Sequence, residues 1–359
     1  MAQRLKIDEF LKMAASLPVI DVRSPSEYRH AHIPGAVSLP LFDDQERANV
    51  GTRYTKVNRQ SAVILGLEYI GPKLTRFAKE GIRLARQNQL LLYCWRGGMR
   101  SESMAWIFET TGIQCRILEG GYKSFRKHVL ESFSRKFSFI VLGGYTGSGK
   151  TELLEKIRVK GEQVLDLEAM ANHRGSAFGS IGMDPQPSNE QFENLLFSHL
   201  NRLDTIKPVW VEDESRNIGI NLIPTALFEQ IRNAPVLVAG VSTDDRIERL
   251  LSHYAQSGKE QLKEAIQKIT RRMGGDRAKK AVEAIEKGDF AEAAELILAY
   301  YDKSYRYGLE IRSPEQVHRL DMLNLSIEQR VKQLIDYAKH NLYGNSEINT
   351  IQSRSGMRM

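Results

Sequence analysis

Residues 137–157 read FSFIVLGGYTGSGKTELLEKI, and the fold turns on how the middle of this stretch interrupts its two ends. The apolar run up to Leu142 has the character of a buried strand, and Glu152 to Ile157 carries apolar residues at helical spacing. Gly144, Gly149, Lys150 and Thr151 between them satisfy GxxxxGK[ST], and the strand before and helix after supply the context that gives this pattern meaning. Glycines let the backbone N–H groups turn inward around an anion at a helix N-terminus. Lys150 neutralises terminal oxygens, and the Thr151 hydroxyl can hold Mg²⁺ if that ion is bound. Gly144, Gly147, Ser148, Gly149, Lys150 and Thr151 are therefore the candidate diphosphate-binding set. A cradle of this kind recognises a diphosphate or triphosphate, and nothing in it requires that the compound be ATP.

Working outward toward the C-terminus, QVLDLE (163–168), PVWVED (208–213) and APVLVAGV (234–241) are further strand candidates, spaced widely enough for intervening helices. Glu212, Asp213 and Glu214 end one of them, where a carboxylate can hold a metal through water or activate a nucleophile. Asp213 is the candidate carried forward, with His173 and Arg174 in ANHRGSAFGSIG (171–182) as candidate support. RRMGGDR (271–277) is a further source of cations for the same anion. Each of these loops reads equally well as ordinary surface. From about 245 to 343 the composition is helical and highly charged. The last residues, 344–359, have no periodicity and are expected to form a flexible tail.

Working toward the N-terminus, LPVIDV (17–22), QLLLYC (89–94) and CRILEGG (115–121) are short apolar runs ending at turns, and SESMAWIFETTG (101–112) is helical and closed by glycine. Alternation of this kind predicts an α/β fold, a parallel sheet with helices on its faces and ligands at the carboxyl ends of the strands. Cys94 falls at such an end, followed by Arg96, Gly97, Gly98 and Arg100 and then a helix N-terminus. The physical expectation is a thiolate nucleophile in a small anion-binding cradle. Cys115, inside an apolar strand, reads as packing. Cys94, Gly97, Arg100 and Ser101 also fit CxxGxxR[ST], the loop of a cysteine-dependent phosphatase, although Tyr93 stands where those enzymes commonly carry His.

Residues elsewhere in the same half weigh on that choice. Asp21, Arg23, Glu27, His32, Ile33, Pro34, Gly35 and Ala36, within VIDVRSPSEYRHAHIPGAVSLP (19–40), closely resemble the opening of a rhodanese domain, and LEGGYKSF (118–125) resembles its close. The resemblance covers about residues 7–130 and implies that Cys94 carries sulfur or selenium. The loop from Cys94 to Arg100 is a residue longer than in many sulfurtransferases, roomy enough for a tetrahedral oxyanion. The expected organisation is a rhodanese-like domain over 1–130, then a P-loop NTPase-like α/β domain with a helical C-terminal part over 131–343.

That order of domains, together with CWRGGMRS, GGYTGSGKT, HRGSAFG, RRMGGDR and LAYYDKSY, resembles the bacterial tRNA 2-selenouridine synthase family. The resemblance implies a cytoplasmic transferase acting on wobble 2-thiouridine in tRNAs for lysine, glutamate and glutamine. It implies geranylation of the sulfur from geranyl diphosphate and then replacement by selenium from selenophosphate, with no permanent cofactor. Two other readings fit the residues: an ATP-dependent tRNA thiolation or kinase-like enzyme with Cys94 as sulfur carrier, and a nucleotide-regulated RNA-binding module.

Bulk properties agree with a soluble two-domain chain. Its 359 residues exceed what one core usually serves, 42% are hydrophobic and 26% charged, and no apolar run reaches the roughly 18 residues of a spanning helix. Two cysteines make no disulfide framework. Lys and Arg number 51 against 44 Asp and Glu, a surplus of +7 that suits a polyanionic partner, with the Lys and Arg of the helical C-terminal region as the expected contacts.

Overall fold

The computed structural model describes residues 2–254 and 258–343, so the tail expected over 344–359 lies outside the described residues. The chain divides into two units. The first takes the residues up to Phe133 together with Pro187–Ser198, and the second takes Ser134–Gln186 together with the residues from His199 onward.

In the first unit, β1 (Gln3–Leu5), β2 (Val19–Asp21), β3 (Val37–Ser38), β4 (Gln89–Tyr93) and β5 (Gln114–Leu118) form a parallel sheet in the order β1-β5-β4-β2-β3. The central strands are apolar on both faces because helices cover both. Ile20, Leu90, Leu92, Phe77, Phe108 and Ile117 make one buried cluster. Asp21 and Tyr93 lie side by side in the register of β2 and β4, so the two strands deliver their carboxyl ends to one place.

A segment expected in the second domain belongs here instead. Along the helix Asn189–Leu200, Asn194 is fully buried and donates to the backbone oxygen of His32 at 2.9 Å and to the Tyr122 hydroxyl at 2.8 Å. Gln191 accepts from the His32 N–H at 2.8 Å, and Glu190 accepts from the Tyr122 hydroxyl at 2.8 Å. These polar groups have their partners on the first unit, and that assigns the helix to it.

The second unit is also a parallel sheet. β6 (Phe139–Gly143), β7 (Gln163–Leu165) and β8 (Val209–Glu212) precede a short antiparallel pair, β9 (Asn217–Ile218) and β10 (Asn221–Leu222). β11 (Val236–Gly240) and β12 (Val317–Asp321) complete the order β12-β11-β6-β8-β7. β6 is central, so the glycine loop that follows it opens at the middle of the sheet's carboxyl edge. β12 falls in the stretch expected to be helical. The helices Lys259–Met273, Gly275–Lys287 and Phe290–Glu310 pack on one another around Ile266, Ile269, Ala281 and Ile285. Among the described residues no helix is long and apolar enough to cross a membrane.

Candidate functional site

Cys94 immediately follows β4 and is buried, with its Sγ 3.3 Å from Ser101 Oγ. The helix Met99–Glu109 starts from the same loop, so the thiol stands at a helix N-terminus. Among the described residues, the amides of Trp95, Arg96, Gly97 and Gly98 donate to no protein acceptor, as a cradle for an anion requires. The shape is set by a second pair of glycines. Gly97 is left-handed, at φ +64°, and Gly121, at φ +59°, lies so close that a Cβ there would stand 2.3 Å from the Cys94 oxygen and 2.4 Å from the Gly97 nitrogen.

The two arginines of this loop have different circumstances. Arg100 donates to both oxygens of Glu27, at 2.6 and 3.3 Å, and Arg47 lies 3.8 Å from the same carboxylate. Burial works to raise the Glu27 carboxyl, but the hydrogen bond and charge of Arg100 outweigh it and hold the group below its ordinary range. Arg96 is exposed, with no carboxylate partner among the described residues. Of the loop's two arginines, Arg96 is therefore the one left without a carboxylate among the described residues, while Arg100 is largely spent on fixing the loop to Glu27.

The residues that resemble a rhodanese opening hold this loop in place. Fully buried Arg23 donates to both oxygens of fully buried Asp21, at 3.0 and 2.6 Å, and to the Ala31 oxygen at 2.7 Å, with its guanidinium 3.9 Å from the centre of the Tyr122 ring. Tyr93 donates to Asp21 at 2.7 Å and accepts from the Ile33 N–H at 3.2 Å. A tyrosine before the cysteine thus closes a buried network. Cys115 is buried in β5, its thiol pushed up to about 12 by burial and then by Glu109, as suits a packing residue.

In the second unit, Gly144, Gly147 and Gly149 all have positive φ, at +159°, +81° and +82°, and shape the turn between β6 and the helix Lys150–Val159. Lys150 folds back so that Nζ donates to the Gly144 oxygen at 2.8 Å. The buried Ser148 hydroxyl has no partner among the described residues. Side chains from later in the chain brace the loop. Tyr305 accepts from the Gly144 N–H at 2.7 Å, and Arg246 donates to the Thr146 oxygen at 2.8 Å while pairing with Asp302 at 2.9 Å.

The carboxylates beside the loop are not the one expected. Asp213 is taken up by Arg312, at 2.6 Å, and by Arg232, at 3.7 Å. Glu168 instead accepts from the Thr151 hydroxyl at 3.2 Å, and its N–H donates to Glu212 at 2.8 Å. Burial raises Glu168, Glu212 and Glu214. The charges of Asp166 and Glu168 push Glu212 further, up to about 8, and Glu168 also raises Glu214. Lys150 opposes the rise at Glu168 and Glu214, which places both carboxyls near its ammonium. Among the described residues no group of three or more His, Cys, Asp or Glu is arranged to hold a metal. The Thr151 hydroxyl and the Glu168 carboxylate are still the hard oxygens that a Mg²⁺ completed by phosphate and water would take.

His173 is buried between Gly179 and Gly219, its Nδ1 without a partner among the described residues, and burial followed by the charge of Lys268 lowers its basicity. Gly175, two residues on, packs against the Glu214 carboxylate, and Arg174 is exposed. A feature with no sequence signal lies next to the phosphate loop. A cavity of about 460 Å³ has Thr146 and Ser176 in its wall and is otherwise mostly apolar, lined by Phe178, Leu250, Leu262, Ile285, Phe290 and Ala294.

A cysteine cradle on one parallel sheet and a phosphate loop on another define a rhodanese-like domain joined to a P-loop domain. Residues 6–128 match the rhodanese-like domain family, and residues 137–341 match the tRNA 2-selenouridine synthase AAA domain. The chain belongs to the tRNA 2-selenouridine synthase family. It is 33% identical to the tRNA 2-selenouridine synthase of Nitrosomonas europaea, covering 83% of this chain and 90% of that one. It is 35% identical to that of Sulfurovum sp., over 82% and 89% of the two chains. For that of Salmonella newport the figures are 33%, 89% and 96%.

Proposed function

We propose that this chain is a tRNA-modifying transferase that converts wobble 2-thiouridine to 2-selenouridine in tRNAs for lysine, glutamate and glutamine. In the first step the sulfur attacks C1 of geranyl diphosphate, the C1–O bond breaks, and diphosphate leaves. In the second, the selenium of selenophosphate adds at C2 of the base, the geranylated sulfur departs as a thiol, and water cleaves the Se–P bond to release phosphate. Alkylation matters because it turns a poor leaving group into a good one. Family membership supports tRNA as the substrate.

The observation that carries the first step is the apolar cavity with the phosphate-loop residue Thr146 in its wall. A prenyl diphosphate matches that pairing, with the chain among Leu, Ile, Phe and Ala and the diphosphate on the backbone amides and Lys150. Adenosine would set its ribose hydroxyls and ring nitrogens against the same apolar wall, which is costly without hydrogen-bond partners. Stabilising the departing diphosphate is itself catalysis. Mg²⁺ held by Thr151 and Glu168 would add charge to that stabilisation. The Cys94 cradle, with free amides, Arg96 and a helix N-terminus, suits selenophosphate or a selenium drawn from it.

Nucleoside mass spectrometry of 2-thiouridine tRNA, incubated with each donor alone and with both, tests the reading. Geranylated nucleoside is expected with geranyl diphosphate alone and 2-selenouridine with both donors. Ala294→Phe, which fills the cavity, should abolish geranylation while the loop still binds inorganic diphosphate. Lys150→Ala should lose both geranylation and diphosphate binding, and Cys94→Ala only the selenium step. A requirement for ATP in either step would overturn the assignment in favour of an ATP-dependent thiolation or kinase-like enzyme.

A further inference from the structure

The helices Asp44–Lys56 and Arg59–Ile70 form a hairpin on the first unit, tied by Asn49 donating to the Tyr69 hydroxyl at 2.9 Å. Its base is at the cysteine cradle, through the contacts of Arg47 and Arg100 with one carboxylate, Glu27. From Arg47 the first helix runs nine residues to Lys56, about 13 Å at 1.5 Å per residue. The tip beyond Gly51 is unlike the rest of the unit. Every residue from Thr52 to Gln60 is exposed, and the segment between Arg47 and Glu68 holds no acidic residue at all. It carries Arg53, Lys56 and Arg59, none in an ion pair among the described residues, with Tyr54 54% and Val57 60% exposed between them.

The distribution of charge agrees. The residues up to Phe133 contain 20 Lys and Arg against 13 Asp and Glu, so they hold the whole surplus of +7, and the remainder of the chain is balanced at 31 of each. The helical C-terminal region, expected from sequence to supply the RNA contacts, therefore brings little net charge to the task.

We propose that this hairpin is an RNA-binding arm, with Arg53, Lys56 and Arg59 on the phosphates of the substrate and Tyr54 stacked on an unpaired base. The inference rests on the reading of the chain as a tRNA-modifying enzyme. Three unpaired cations within seven residues, with no acidic residue among them, concentrate positive charge for a phosphate backbone, and an exposed tyrosine among them supplies the π-face by which unpaired bases are held. An arm rooted beside Glu27 and Arg100 holds the RNA within reach of Cys94.

The test is fluorescence anisotropy of the full chain with a transcribed lysine tRNA, repeated over a series of NaCl concentrations. Arg53→Ala, Lys56→Ala and Arg59→Ala combined should weaken binding about tenfold or more and flatten the log–log salt dependence by about two to three units, one for each phosphate no longer neutralised. Lys279→Ala, Lys280→Ala and Lys287→Ala combined, an equal loss of charge on the helix Gly275–Lys287, should change the slope by less than about one unit. Tyr54→Ala should weaken binding about fivefold or more at unchanged slope, and Tyr54→Phe should restore it. Wild-type affinity and slope in the hairpin triple variant would overturn the arm while leaving the tRNA reading intact. An unmutated chain with no measurable affinity for the tRNA would overturn the tRNA reading, and the arm with it.

Discussion

Gly121→Ala should disable the cysteine cradle without touching the phosphate loop. At φ +59° an alanine costs about 1–2 kcal/mol in left-handed backbone alone. Its Cβ would also meet the Cys94 oxygen at 2.3 Å, the Gly97 nitrogen at 2.4 Å and the Arg96 nitrogen at 2.8 Å. These are backbone atoms, so relief requires the loop itself to move, at about 1–3 kcal/mol more. The sum is about 2–5 kcal/mol, concentrated where the amides of Arg96 and Gly97 are aimed. Because the chain has two units, a single global unfolding midpoint would blur the effect. Hydrogen exchange of peptides covering Gln89–Tyr93 and Met99–Glu109 reads the local stability directly. Both should lose protection, selenium transfer should fall by at least tenfold, and geranylation should stay within twofold of wild type, at about 1.4 kcal/mol per decade. Gly51→Ala is the matched control. It lies inside an exposed helix with only Arg47 Nη1 at 3.9 Å, and it should stabilise by about 0.5–1 kcal/mol. If Gly121→Ala cost less than about 0.5 kcal/mol and left selenium transfer intact, the account of the cradle as a shape imposed by close glycines would be wrong.

Arg23→Met should destabilise the first unit by about 3–5 kcal/mol in denaturant unfolding, because Asp21 is left charged and without its counter-ion in a fully buried place. Adding Asp21→Asn should recover part of that loss, and no recovery would count against the ion pair as the cause. Glu212→Gln should gain on wild type as pH rises from about 5 to 8. The folded carboxyl, pushed up to about 8, keeps its proton over that interval while the unfolded chain releases its own, so wild-type stability falls with pH there. Gln still accepts from the Glu168 N–H, and urea midpoints that run parallel for the two proteins across this interval would exclude a buried, protonated Glu212.

What the sequence made legible is what local chemistry decides. The phosphate loop and the cysteine at a strand end were readable because strand, glycines and helix are consecutive. The neighbours that adjust them come from far along the chain and were not. Glu168 reaches Thr151 from the short helix Leu167–Ala171 that follows β7, two places across the sheet, and Tyr305 reaches Gly144 from a helix some 160 residues on. Asp213 is the instructive miss. Asp213 and Glu214 lie beyond the end of β8 at Glu212, so the alternation of side chains along a strand does not decide which carboxylate faces the loop. What occupies Asp213 is Arg312, a partner 99 residues on that leaves no local trace in the sequence. β12 was hidden for a related reason: as an edge strand it is only partly buried, so VHRLD is polar enough to blend with the charged helices around it. The rhodanese-like signature shows the converse. Asp21, Arg23 and Glu27 stand out in the sequence as though they were chemistry, yet they act on Cys94 only through the backbone and through Arg100. The charged residues of that signature are therefore scaffold, while Arg96 in the cradle and Arg53, Lys56 and Arg59 on the hairpin are among the cations of this unit with no carboxylate partner among the described residues, free to meet a phosphate.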